Sequence, residues 1–200
     1  MKIQENNQVT LIGTFGEDIT FSHEVHGEKF YQNFLTVARK SNNIDTIPVT
    51  VSERLINLED YAGQKVEVRG QYRSFNKVLA EGKRHLMLFV FAQEVEKVDT
   101  TVPDDNKVIL DGYTCKETTY RRTPLGREIT DLHLAVNRKY GKSDYIPCVA
   151  WGRNAQYADN FPVGTHIKVE GRIQSREYEK LGETRTVYEV SIGKLEVVED

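Results

Sequence analysis

Four aromatic side chains in the second half of the chain are spaced so that they could hold flat, apolar ligands. Tyr145 and Trp151 lie six residues apart in one alternating stretch, so both should leave the strand on one side together with Val149, opposite Ile146, Cys148 and Ala150. Trp151 is the only tryptophan of the chain. Tyr178 shares one side of an extended run with Arg172, Gln174 and Arg176, and Tyr140 ends the run from Leu134, just before Gly-Lys-Ser. Cations interleave with them: Arg138, Lys139, Lys142, Arg153, Arg172 and Arg176. Unpaired bases require flat apolar partners and phosphates require cations, so the combination suits a nucleic-acid single strand, where stacking is worth ~1 to 3 kcal/mol per base whatever the sequence. The plainer readings are Tyr145 and Trp151 covered by a loop or an interface, Tyr178 as a surface residue at a hairpin mouth, and the cations as solvated surface. What favours binding is that aromatics and cations share a face.

Catalytic constellations fail on spacing. Gly141-Lys142-Ser143 resembles the end of a phosphate loop, but the glycine required five residues before Gly141 is Val136. His23 and His26 stand three apart where a zinc protease needs four, in a stretch read as a loop. There is no Gly-x-Ser-x-Gly elbow, and neither Cys115 nor Cys148 has a histidine nearby in sequence. No enzyme activity, cofactor or metal is therefore expected. The two cysteines are expected to be reduced, packed thiols.

The elements that must position these residues occur twice. Asn7-Gln-Val-Thr-Leu-Ile-Gly13 matches Asn106-Lys-Val-Ile-Leu-Asp-Gly112 at an offset of 99 residues, which also carries Leu35, Val37, Arg39, Asp45 and Pro48 onto Leu134, Val136, Arg138, Asp144 and Pro147. At an offset of 101, Gly63, Val68, Gly70 and Ser74 meet Gly164, Val169, Gly171 and Ser175. Such self-similarity marks a tandem duplication. The expected domains are residues 1–98 and 106–200, with 99–105, Asp-Thr-Thr-Val-Pro-Asp-Asp, as an exposed linker.

In the second repeat, strands are expected at Lys107 to Tyr113, Ile129 to Val136, Tyr145 to Trp151, Thr165 to Gln174 and Thr184 to Leu195. A short helix is expected at Asn154 to Asn160, stopped by Pro162-Val-Gly164. Five strands with one helix after the third is the order of an OB-fold barrel. Other small Greek-key barrels share the alternation, and the helix tips the choice. The expected fold class is all-β: two tandem OB-fold five-stranded barrels, each with a short helix between strands 3 and 4.

Bulk properties place this chain without identifying a ligand. With 200 residues it is long enough for two domains, and 28% charged residues leave no polar tract long enough to suggest disorder. No apolar run suits a membrane span or a signal peptide, so a cytoplasmic location is expected. The net charge of -3 gives no hint of a nucleic-acid partner, and neither repeat is basic as a whole: residues 1–103 hold 12 basic and 14 acidic side chains, the rest 15 and 16.

Asn106-Lys-Val-Ile-Leu-Asp-Gly112, Leu134-Ala-Val-Asn-Arg-Lys139, Cys148-Val-Ala-Trp-Gly152 and Val169-Glu-Gly-Arg-Ile-Gln-Ser-Arg176 together resemble the bacterial single-stranded DNA-binding protein family. The resemblance covers residues 104 to 195 and puts the family's stacking aromatics on Tyr140, Tyr145, Trp151 and Tyr178. It implies sequence-tolerant binding of single-stranded DNA in replication, recombination or repair, and a homodimer with four OB folds. Alternatives are an adaptor for a replication or restart protein, and an RNA-binding module.

Two departures stand out. In the first repeat Tyr140, Tyr145, Trp151 and Tyr178 become Ser41, Thr46, Ser52 and Lys77, so weak binding and an assembly role are expected, with only Tyr72 and Phe75 as stackers. The chain ends at Leu195-Glu-Val-Val-Glu-Asp200 without the family's acidic tail, so tail-mediated recruitment of proteins is not expected.

Overall fold

The structure, a computed structural model, describes residues 5 to 199. In the first repeat β1 (Asn7–Phe15), β2 (Thr20–Val25), β3 (Glu28–Ala38) and β4 (Ile44–Ser52) lead to a 3-10 turn at Leu58–Tyr61, followed by β5 (Lys65–Val78) and β6 (Arg84–Lys97). The second has β7 (Asp105–Thr114), β8 (Thr119–Arg122), β9 (Glu128–Asn137) and β10 (Ser143–Trp151), then the helix α1 (Arg153–Ala158), β11 (His166–Lys180) and β12 (Glu183–Val197). The same order of strands occurs twice along the chain, and three details differ from the sequence reading. Each repeat has a sixth strand, the short edge strand β2 or β8. The stretch around His23 is therefore a strand, not a loop. The first repeat makes a 3-10 turn where the second has a true helix.

Each repeat closes a ring of five strands. β4 pairs with β6 in parallel and β3 with the end of β1; β10 pairs with β12 in parallel and β9 with β7. The alternation seen in the sequence fills the rings: Leu11, Val37, Ile47, Val68 and Val90 in one, Leu110, Leu134, Ile146, Ile173 and Val190 in the other, all buried. Both rings bend at a bulge. Gly70 and Gly171 occupy equivalent sites, where a Cβ would stand 2.0 Å from the Phe91 carbonyl oxygen and 2.1 Å from that of Ser191.

The sheet is continuous across the two repeats, because β1 pairs antiparallel with β7. Val9 faces Val108, its own counterpart at the repeat offset, so a local two-fold axis passes through that pair. The same symmetry governs the polar contacts across the seam. Ser74 N–H donates to Asp144 Oδ1 at 2.8 Å and Ser175 N–H to Asp45 Oδ1 at 3.0 Å. In return, Tyr145 N–H donates to Ser74 Oγ at 2.8 Å and Thr46 N–H to Ser175 Oγ at 3.0 Å.

Asp45 and Asp144 are buried, and each is bidentate to an arginine of its own repeat, Arg39 and Arg138. The segment 99–105 is tied down, with Asp104 accepting from Ala38 N–H at 2.8 Å and pairing with Lys65 at 2.8 Å. No described helix is long and apolar enough to cross a membrane.

Candidate nucleic-acid interface

β11 and β12 form a long hairpin whose cross-strand partners share faces. Arg172 pairs with Ser191, Gln174 with Glu189, Arg176 with Val187 and Tyr178 with Arg185. Trp151, at the end of β10, reaches this face through its indole N–H, which donates to Ser191 Oγ at 3.0 Å. The result is a groove of about 630 Å³ lined by Trp151, Arg172, Gln174, Arg176 and Ser191.

Its remaining walls come from elsewhere. Arg127 arrives on the turn before β9, and Arg39, Asn43 and Ile44 come from the first repeat. The groove therefore spans the seam. Sequence reasoning missed these four: the β9–β10 ladder brings Arg127 beside Trp151, and only the pairing of the repeats brings Arg39, Asn43 and Ile44 there.

The aromatics expected to act together are divided. Tyr178 is 36% exposed and Trp151 partly exposed on the β11–β12 side. Tyr145 is 46% exposed at the other end of β10, about 20 Å from Trp151 along the strand, with its N–H on Ser74 of the first repeat. Tyr140 stands in the neighbouring turn, 98% exposed and at φ 65°, a backbone region that bulky side chains rarely occupy. Val149, on the same side of β10 as Tyr145 and Trp151, is buried and so not open to a ligand.

The cations divide as well. Arg138 is committed to Asp144 and to the Ser74 carbonyl, so it locks the seam. Arg176 Nε donates to Glu189 Oε1 at 3.1 Å, and Gln174 Nε2 donates to the same oxygen at 2.7 Å. Arg172 lies 3.4 Å from Asp45 and 3.3 Å from Gln174. Burial and then the neighbouring Arg39 pull the Arg172 guanidinium below its usual range, so positive charge is crowded there. Lys139, Lys142 and Arg153 make no ion pair among the described residues, and all three are exposed.

In the first repeat, Tyr72 is 0% exposed and cannot stack on a ligand, which corrects the sequence reading. Phe75 is 49% exposed and meets Phe89 edge-on at 5.8 Å. The described residues hold no cluster suited to a metal ion. Burial pushes the Cys148 thiol up, away from a reactive thiolate.

A family model described as "Single-strand binding protein family" matches residues 105–198. A single-stranded DNA-binding protein from Clostridium tetani is 37% identical over 102 residues, covering 47% of this chain and 70% of that protein. Single-stranded DNA-binding protein A of Bacillus subtilis is 35% identical over 102 residues, covering 47% of this chain and 59% of its own. The single-stranded DNA binding protein from Thermus aquaticus resembles the fold over 97% of this chain and 93% of its own, at 24% identity and a TM-score of 0.75.

Proposed function

This chain belongs to the single-strand binding protein family, and we propose that it binds single-stranded DNA without catalysis, through two tandem OB-fold barrels. The observation that carries this reading is the groove in which the one tryptophan and the arginines of both repeats line a common wall. A base stacks on Trp151, whose indole is held by Ser191, while phosphates run along Arg172, Arg176, Arg127 and Arg39. Tyr178 extends the stacking face along the hairpin. Tyr140, Tyr145, Lys139 and Lys142 take nucleotides at the far end of β10, and Arg153 flanks the Trp151 end. Arg138 holds the seam rather than a phosphate. Stacking and unspecific phosphate contact favour no base, so binding is sequence-tolerant, as replication, recombination or repair requires. A homodimer with four barrels completes the reading, and sedimentation of the free protein tests it.

The direct test is the affinity of Trp151→Ala for oligo-dT. Loss of about 1 to 3 kcal/mol is expected. Affinity equal to that of the unsubstituted protein would overturn the assignment.

A further inference from the structure

The two repeats place their aromatics on different strands of the same ring. In the second repeat the tryptophan stands on β10 and a serine, Ser191, faces it on β12. In the first repeat the counterparts are exchanged. Ser52 ends β4, and Phe91 on β6 occupies the position of Ser191, since Thr50 pairs with Phe91 just as Val149 pairs with Ser191. A second exchange lies one pair further along each hairpin. The ion pair of Arg176 with Glu189 corresponds to the aromatic pair of Phe75 with Phe89. The face that looks depleted of aromatics position by position holds three phenylalanines.

These rings have cations beside them. The Arg73 guanidinium lies 4.1 Å above the Phe91 ring and donates to Gln71 at 2.8 Å, and among the described residues it has no ion-paired carboxylate. Burial and then Arg138, across the seam, pull it below the usual guanidinium range. Lys77 follows Phe75 on the same face, and Lys142 of the second repeat is exposed in the turn between Arg138 and Asp144. Glu28, the counterpart of Arg127 at the repeat offset, accepts from the Ser52 hydroxyl and pairs with Arg54 at 3.4 Å.

We propose that Phe75 and Phe89, with Arg73 over Phe91, form a second single-strand-binding platform in the first repeat, built at positions other than those the second repeat uses. It rests on the function proposed above in that its ligand is the same strand. Its occupant is single-stranded nucleic acid because the exposed Phe75 ring, backed by the half-buried Phe89 and Phe91 and edged by Arg73 and Lys77, matches bases and phosphates. The local two-fold axis sets this platform opposite the Trp151 groove, so a long strand can occupy both.

The test uses the full chain carrying Phe75→Trp and Trp151→Phe, so that the only tryptophan reports on the first repeat. Quenching on addition of oligo-dT is expected, weakened when Phe89→Ala is added. Fluorescence unchanged at oligo-dT concentrations that quench the unsubstituted protein would overturn the proposal. If the unsubstituted protein is not quenched but this variant is, the platform stands and the Trp151 site falls. As a check free of new tryptophans, Phe75→Ala with Phe89→Ala should weaken long oligo-dT roughly fivefold or more. Retained affinity in a variant with an unchanged melting temperature would overturn it.

Discussion

At the level of single residues, the cations of the proposed interface do unequal work. Lys142 is exposed and makes no ion pair among the described residues, so Lys142→Ala should flatten the slope of log affinity against log salt by about 0.7 and leave the melting temperature unchanged. Arg176 also holds the buried carboxylate of Glu189, so Arg176→Ala should flatten the slope and lower the melting temperature as well. A salt series and a thermal melt on each variant separate the two. Tyr72 offers the opposite case. Its ring fills the seam, but its hydroxyl is buried and lacks a partner among the described residues, a state that costs about 1 to 3 kcal/mol. Tyr72→Phe should therefore fold with equal or greater stability, measured by denaturant unfolding.

At the level of elements, the seam is held by a symmetric pair of clamps. Each aspartate anchors an arginine of its own repeat and a backbone N–H of the other. Asp144→Ala leaves Arg138 and Ser74 N–H without that acceptor and should cost on the order of 3 kcal/mol, with Asp45→Ala close to it. Unequal losses in urea unfolding would show that the clamps are not equivalent. The repeats and their strands are legible in the sequence because core alternation and short motifs such as Asn7-Gln-Val and Asn106-Lys-Val recur at one offset. The exchange of Trp151 and Ser191 for Ser52 and Phe91 is not, because it compensates between strands, and registers between distant strands are fixed by closure of the ring. The same gap hid Arg39 and Ile44. They become part of the groove only when β1 pairs with β7.

At the level of the whole molecule, near-neutral charge conceals a local arrangement. Acidic and basic residues nearly balance in each repeat, yet four arginines from both repeats line one groove. Two platforms related by a local two-fold axis make the second contact intramolecular, so affinity for oligo-dT should rise in two stages as the oligomer becomes long enough to reach both. A length series read by titration would show a single stage if only one repeat binds. At the centre of this surface a base stacks on Trp151, in the groove shared by both repeats. The measurement closest to this contact is the fluorescence of that one tryptophan in the unsubstituted protein, titrated with oligo-dT at low salt. Saturable quenching, reversed by added salt, is the expected result. Emission that stays unchanged while the DNA is shown to be bound would contradict it.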